Sequence, residues 1–143
     1  MRAPQEQPVT VEIRDTIAVV RLARARKRNA LNEASMLALE EAFASFPGAV
    51  KVAVLLGEGE HFCAGLDLSE LIETEVAEAI RHSRMWHRVT EAIEFGPVPV
   101  VSALHGAVIG GGMELASATH VRVADRTAYY ALPEGQRGIY VGG

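Results

Sequence analysis

The chain has a single cysteine, Cys63, in 143 residues. No disulfide can form within it, and the composition suits a reducing compartment, with the cytoplasm as the expected location. It also lacks an excess of positive charge: 14 basic against 18 acidic residues leave a formal charge of -4. That balance argues against a general nucleic-acid surface and leaves room only for a local basic loop. No apolar run approaches the roughly 18 to 20 residues that span a bilayer, and the first eight residues are polar without the apolar core of a signal peptide. Neither a membrane anchor nor a secretion signal is read. His61, His82, His87, His105 and His120 form no H-E-x-x-H or Cys/His cluster, so no metal site is expected. The glycine-rich stretches lack G-x-G-x-x-G spacing and no Lys-Ser or Lys-Thr pair follows them, which removes the common dinucleotide and P-loop readings. Internal repeats and low-complexity linkers are absent too.

What remains is the composition of one globular domain over residues 1–143, 49% hydrophobic and 22% charged, with enough chain for one core. Val9, Val11 and Ile13 alternate with polar residues, and a second apolar run over 17–22 follows Asp15-Thr16, which predicts an opening β-hairpin. A basic loop, Arg24-Ala25-Arg26-Lys27-Arg28, leads to Asn32 as the N-cap of a helix. Its apolar positions Met36, Leu39, Phe43 and Phe46 recur at spacings of three and four until Pro47-Gly48. Residues 50–56 read as a strand covered on both faces, and 57–65 as a glycine-broken loop. Between 70 and 95 neither glycine nor proline occurs, and Ile72, Val76, Ala79, Ile80, Ser83, Trp86 and Ile93 predict one face of a long helix or of two joined ones. A buried strand is expected over 98–104, a glycine-rich loop over 106–112, a helix over 113–119, a strand over 121–124 and an extended piece over 129–132. The alternation is of βαβ type. Gly142-Gly143 falls inside what reads as a third glycine-rich loop, so the chain is expected to be a fragment.

Gly110-Gly111-Gly112 is the most informative stretch. Consecutive glycines at a helix start let the backbone approach a ligand and aim free N–H groups at it; the alternative is a tight turn with close helix packing. Glu114 lies about one turn further on, among apolar neighbours, so its carboxylate falls near whatever those N–H groups hold. The loop His61-Phe62-Cys63-Ala64-Gly65-Leu66-Asp67 offers further N–H groups, with Asp67 able to tie the turn through its own side chain. Two such loops at neighbouring strand ends either form an oxyanion hole, each donating one N–H to a single oxygen, or are two structural loops of an α/β fold. Cys63 is read as a small buried residue against the alternative of a nucleophile. Trp86 is read as core or pocket wall.

Five motifs in order, Arg28-Asn29-Ala30-Leu31-Asn32, Phe62-Cys63-Ala64-Gly65-Leu66-Asp67, Val98-Pro99-Val100, Gly110-Gly111-Gly112-Met113-Glu114-Leu115-Ala116 and Leu132-Pro133-Glu134, resemble the crotonase superfamily of enoyl-CoA hydratases and isomerases. The resemblance runs from about Val9 to the last residue. It implies an α/β fold whose core is a spiral of ββα repeats, here the N-terminal catalytic half without the C-terminal helical part. It further implies that the Leu66 and Gly111 N–H groups bind a thioester carbonyl oxygen, and that Glu114 and Glu134 flank the substrate double bond as acid and base. Arg26, Lys27 and Arg28 would run along coenzyme A phosphates, and Ala64 and its neighbours would meet adenine. Ala30, Gly65, Asp67, Leu68, Gly110 and Pro133 complete the implied substrate and coenzyme A contacts. Departures from the commonest family pattern are Tyr129-Tyr130-Ala131-Leu132 before Pro133 and Gln136-Arg137 after Glu134.

The expected function is therefore a lyase that hydrates a trans-2-enoyl-CoA, needing no cofactor beyond the coenzyme A of the substrate. Both glutamates are needed for that chemistry: one carboxylate deprotonates water while a protonated partner supplies the Cα proton, and two carboxyls in close quarters favour such sharing. An isomerase, which shuttles one proton, is the nearest alternative; a non-catalytic acyl-CoA-binding protein is the other. The resemblance also implies homotrimers or hexamers, with neither nucleic acid nor membrane as a partner.

Overall fold

A computed structural model describes residues 7–70, 75–138 and 140–142. Two of the residues used in the sequence expectations, Ile72 and Gly143, lie outside them. Asp15 takes a left-handed conformation (φ 52°), which a short polar side chain tolerates. The chain therefore reverses within two residues, and β1 (Val9–Arg14) pairs antiparallel with β2 (Ile17–Leu22), Val9 opposite Leu22 and Arg14 opposite Ile17. Every later pairing is parallel. β2 adjoins β3 (Val52–Gly57), β3 adjoins β4 (Val100–Leu104) and β4 adjoins β6 (Val121–Ala124), giving a five-stranded sheet in the order β1-β2-β3-β4-β6.

A second, smaller parallel layer runs beside it. Leu31 bridges Leu66, Cys63 bridges Val108, and β5 (Ala107–Ile109) pairs with β7 (Tyr129–Ala131). Each turn of the chain thus gives one strand to the large sheet and one extended segment to the small layer before a helix carries it onward. The fold is mixed α/β and of the spiral type expected. The short strand β5 replaces the middle of the loop expected over 106–112. Its three residues fall between glycines, too short a run to show alternation.

Helix α1 (Glu33–Ala44) starts where expected, the Asn32 side chain accepting from the Ser35 N–H at 2.9 Å, and it buries Ser35, Met36, Leu39 and Phe43. Phe46 lies beyond the helix end, yet meets Phe43 edge to face at 5.9 Å. Helix α2 (Val76–Glu94) buries Met85, Trp86, Val89 and Ile93. This corrects the expected apolar face: Val76 and Ile80 are 75% and 48% exposed, and Ala79 and Ser83 are exposed as well. The C-terminal half of α2 holds all of its buried residues, so its apolar periodicity beyond that half has no core to bury against. Helix α3 (Gly111–Ala118) buries Gly111, Gly112, Leu115 and Ala116. Leu22, Leu31, Leu39, Leu55, Phe43, Phe62, Val89 and Ile93 form the centre of the core.

Candidate active site at the Leu66 loop and the start of helix α3

Gly110 has φ 52° and ψ −122°, a region that side chains with a Cβ avoid. This kink lets the chain leave β5, donate the Gly110 N–H to the Ala131 carbonyl at 2.8 Å and begin α3 at once. The Gly110 carbonyl accepts the N–H groups of Met113 and Glu114. Gly111, at the first helical position, has no helical acceptor for its own N–H, as at any helix start. It also packs so tightly on the Trp86 ring that a Cβ there would collide with it.

The Leu66 N–H is oriented by its neighbours. In the bridge to Leu31, the Leu31 N–H donates to the Gly65 carbonyl at 2.7 Å and the Asp67 N–H donates to the Leu31 carbonyl at 2.8 Å. Gly65 C=O and Leu66 N–H lie in one planar trans peptide and point in opposite directions, so the Leu66 N–H faces away from Leu31. The two loops are in contact: a Cβ on Gly65 would lie 2.8 Å from the Ile109 carbonyl oxygen and 3.5 Å from the Gly111 nitrogen. Between them is a cavity of about 80 Å³ whose lining includes Gly65, Leu66, Gly110, Pro133, Glu134 and Arg137.

Glu134 begins a 3-10 turn, Glu134–Arg137, with Pro133 at its N-cap. One carboxylate oxygen rests against the face of Gly110 where a side chain would be. The other, Oε2, is buried and has no hydrogen-bond partner among the described residues. An unpaired buried carboxylate oxygen is costly, which marks it as a position for a polar ligand atom.

Glu114 is half-buried and lines a different cavity, about 330 Å³, with Thr90, Glu94, Met113, Leu132 and Val141. Leu132 and Val141 also border a third cavity, which includes Glu134. The structure thus brings Leu66, Gly110 and Glu134 to one cavity and sets Glu114 at another; Leu132 and Val141 link the Glu114 cavity to the third cavity, which Glu134 also lines.

Ala64 and Leu68 line the small cavity with Leu66. Arg26, Lys27 and Arg28 are exposed on a short 3-10 turn, Ala25–Lys27, and the loop after it. The Arg28 carbonyl accepts the Ala64 N–H at 3.0 Å, so the basic loop lies alongside the Leu66 loop. The Asp67 side chain ties its own turn, as expected of it. Its Oδ1 accepts from the Ser69 hydroxyl at 2.7 Å and the Ser69 N–H at 3.2 Å, while Oδ2 accepts from Arg24 at 2.8 Å. The Ser69 hydroxyl and the Arg24 guanidinium hold its carboxyl down at about 2. The Ala30 carbonyl likewise accepts from Arg24.

Cys63 is fully buried, with its Sγ 3.1 Å from the Asn29 carbonyl, and burial pushes its thiol up to about 12. That removes the nucleophile alternative. Sequence reasoning missed Arg24, taken with the solvated basic run, and Asn29, whose buried amide donates to the Glu58 and His61 carbonyls, both at 2.8 Å. No local pattern marks either, since both roles depend on loops distant in sequence.

The sequence profile of the Enoyl-CoA hydratase/isomerase family matches residues 12–143. The chain belongs to this family. Among its relatives is the short-chain-enoyl-CoA hydratase of Clostridium acetobutylicum, 31% identical over 137 residues, which cover 94% of this chain and 52% of that protein. The crystal structure of a candidate enoyl-CoA hydratase from Rhodopseudomonas palustris superposes with a TM-score of 0.92 at 51% identity, covering 95% of this chain and 53% of that one. A second crystal structure, of a candidate enoyl-CoA hydratase from Thermobifida fusca in complex with acetoacetyl-CoA, shares the fold at a TM-score of 0.82 and 24% identity, over 95% of this chain and 58% of that one. The chain spans about half the length of these family members. Among the described residues, no helix is long and apolar enough to cross a membrane, and no cluster of three or more potential metal ligands occurs.

Proposed function

We propose that this family member catalyses reversible addition of water to the double bond of a trans-2-enoyl-CoA. The observation that carries the reading is the buried Glu134 Oε2, without a hydrogen-bond partner among the described residues, in a residue that lines a cavity with Leu66 and Gly110, next to the Gly111 N–H at the first position of helix α3. As water adds at Cβ, the thioester carbonyl gains enolate charge. N–H groups of Leu66 and Gly111, fixed in place beforehand, stabilise that charge more than the neutral carbonyl. Glu134 positions and deprotonates water or returns a proton, and Glu114, reached past Leu132, is the partner carboxyl. Water contributes hydroxyl to Cβ and a proton to Cα, so no other reactant is needed. The exposed Arg26, Lys27 and Arg28 suit the phosphates of coenzyme A. Coenzyme A thioesters are the substrate class named for the relatives and carried by the Thermobifida fusca structure.

The test is turnover of crotonyl-CoA and of a 3-enoyl-CoA by the wild type and by Glu114→Gln and Glu134→Gln. Hydration by the wild type is expected, with a fall of about 10²- to 10⁴-fold in kcat for each variant. A wild type that shifts 3-enoyl double bonds but adds no water would make it an isomerase. One that binds several thioesters and converts none would make it a binding protein.

A further inference from the structure

Arg24 opens the basic run, yet its side chain turns inward. Its Nη2 donates to Asp67 Oδ2 at 2.8 Å, and its Nη1 donates to the Ala30 carbonyl. The two side chains are only 18% and 10% exposed. The bond to Ala30 has a consequence for the Leu66 N–H that follows from peptide planarity alone. Ala30 C=O and Leu31 N–H share one rigid plane. The Leu31 N–H donates to the Gly65 carbonyl at 2.7 Å, and Gly65 C=O shares the next rigid plane with the Leu66 N–H. Asp67, which grips Arg24, is the residue after Leu66, and its own N–H donates back to Leu31 at 2.8 Å. The hydrogen bonds close a ring running from Arg24 through two peptide planes to Leu66 and back through Asp67.

We propose that Arg24 and Asp67 are positioning residues of the active site, which aim the Leu66 N–H at the thioester oxygen through these two peptide planes. A guanidinium at the head of the chain also polarises each successive hydrogen bond in the same sense, making the Leu66 N–H a better donor. The inference rests on the reading of Leu66 as an oxyanion donor. Ser69 supports Asp67 from the other side with its hydroxyl at 2.7 Å, so the carboxylate cannot swing away from Arg24 without losing both partners.

The probe is acetoacetyl-CoA, whose bound enolate carries its charge on the oxygen that the two N–H groups would hold and is read by its ultraviolet absorbance. Arg24→Met is expected to lower the enolate fraction of the bound thioester about tenfold at fixed pH, and kcat for enoyl-CoA hydration about 10- to 100-fold. Affinity for coenzyme A itself should stay within about twofold of wild type, because the exposed Arg26, Lys27 and Arg28 are untouched. Arg24→Lys, which reaches one acceptor but not both, should recover part of both signals. A purely structural role would instead lower coenzyme A affinity and kcat in proportion and leave the enolate fraction of the bound thioester unchanged. That result, or wild-type values for Arg24→Met, overturns the proposal. Should Arg24→Met not accumulate as folded protein, Arg24→Lys decides on the same readouts, with wild-type values again overturning it. If the wild type itself neither hydrates enoyl-CoA nor ionises bound acetoacetyl-CoA, Leu66 is no oxyanion donor and the functional reading fails first.

Discussion

Asp67 and Glu134 are both shielded carboxylates, and their surroundings give them opposite uses. Asp67 has a partner for each oxygen, so it holds structure; Glu134 keeps one buried oxygen without a partner among the described residues, where the proposed reaction needs a carboxylate. For Asp67 the consequence is a pH dependence of stability. Its carboxyl sits at about 2 in the fold, against an ordinary value of about 3.9 in an unfolded chain. A carboxyl depressed in the folded state stabilises it fully above pH about 4, and that contribution is lost as pH falls through about 2. Urea unfolding of the wild type and of Asp67→Asn between pH 5 and pH 2 checks this. The variant is expected to be the less stable above pH about 4 and to converge on the wild type near pH 2. Parallel curves would contradict it. At this scale the motif residues were legible because their neighbours in sequence define them: Asn32 precedes a periodic run, and Glu134 follows a proline. Arg24 was not, because nothing in the run Arg24 to Arg28 says which cation turns inward toward Asp67, 43 residues on.

Local signals served the secondary structure best where an element makes its own ends. Asn32 caps α1 through the Ser35 N–H, and replacing it with alanine is expected to cost about 1 kcal/mol, seen as a lower urea midpoint. A loss below about 0.3 kcal/mol would show that the cap is not carrying that helix end. The hairpin of β1 and β2 and the bounds of β6 were equally readable from alternation and punctuation, whereas β4 starts at Val100, two residues after the expected strand start. α2 was not: the apolar spacing through Val76 and Ile80 is genuine, but these residues are exposed, and burial begins only at Met85. Periodicity says which residues share a face, not whether another element covers it. β5 escaped for a related reason, since three residues between glycines form a strand only because Cys63 and β7 pair with them.

Across the molecule, the spiral explains why the site lies where it does. Each turn adds a strand to the large sheet and a segment to the small layer, and the loops leaving Cys63 and β5 are adjacent because Cys63 and Val108 are bridged. Two loops distant in sequence thus come into contact through ordinary parallel pairing. The last turn is the least covered: Val121, Val123, Tyr129, Tyr130 and Leu132 are about half exposed or more. Leu132, with Val141, also borders the Glu114 cavity and one of the two cavities that Glu134 lines. The family and the fold class were therefore legible from five motifs in order, whereas the placing of Glu114 and Glu134 at separate cavities was not, because sequence motifs carry no distances between turns of the spiral.

The central claim is that water is added to an enoyl-CoA at the Glu134 cavity. It is tested most directly by incubating crotonyl-CoA with the wild type and with Glu134→Gln in oxygen-18 water and weighing the thioester product. Heavy oxygen is expected in the 3-hydroxyacyl product of the wild type, at a rate that falls to at most about one hundredth in the variant. Absence of label from the wild-type product, or a Glu134→Gln protein that labels it as fast as the wild type, would contradict the account.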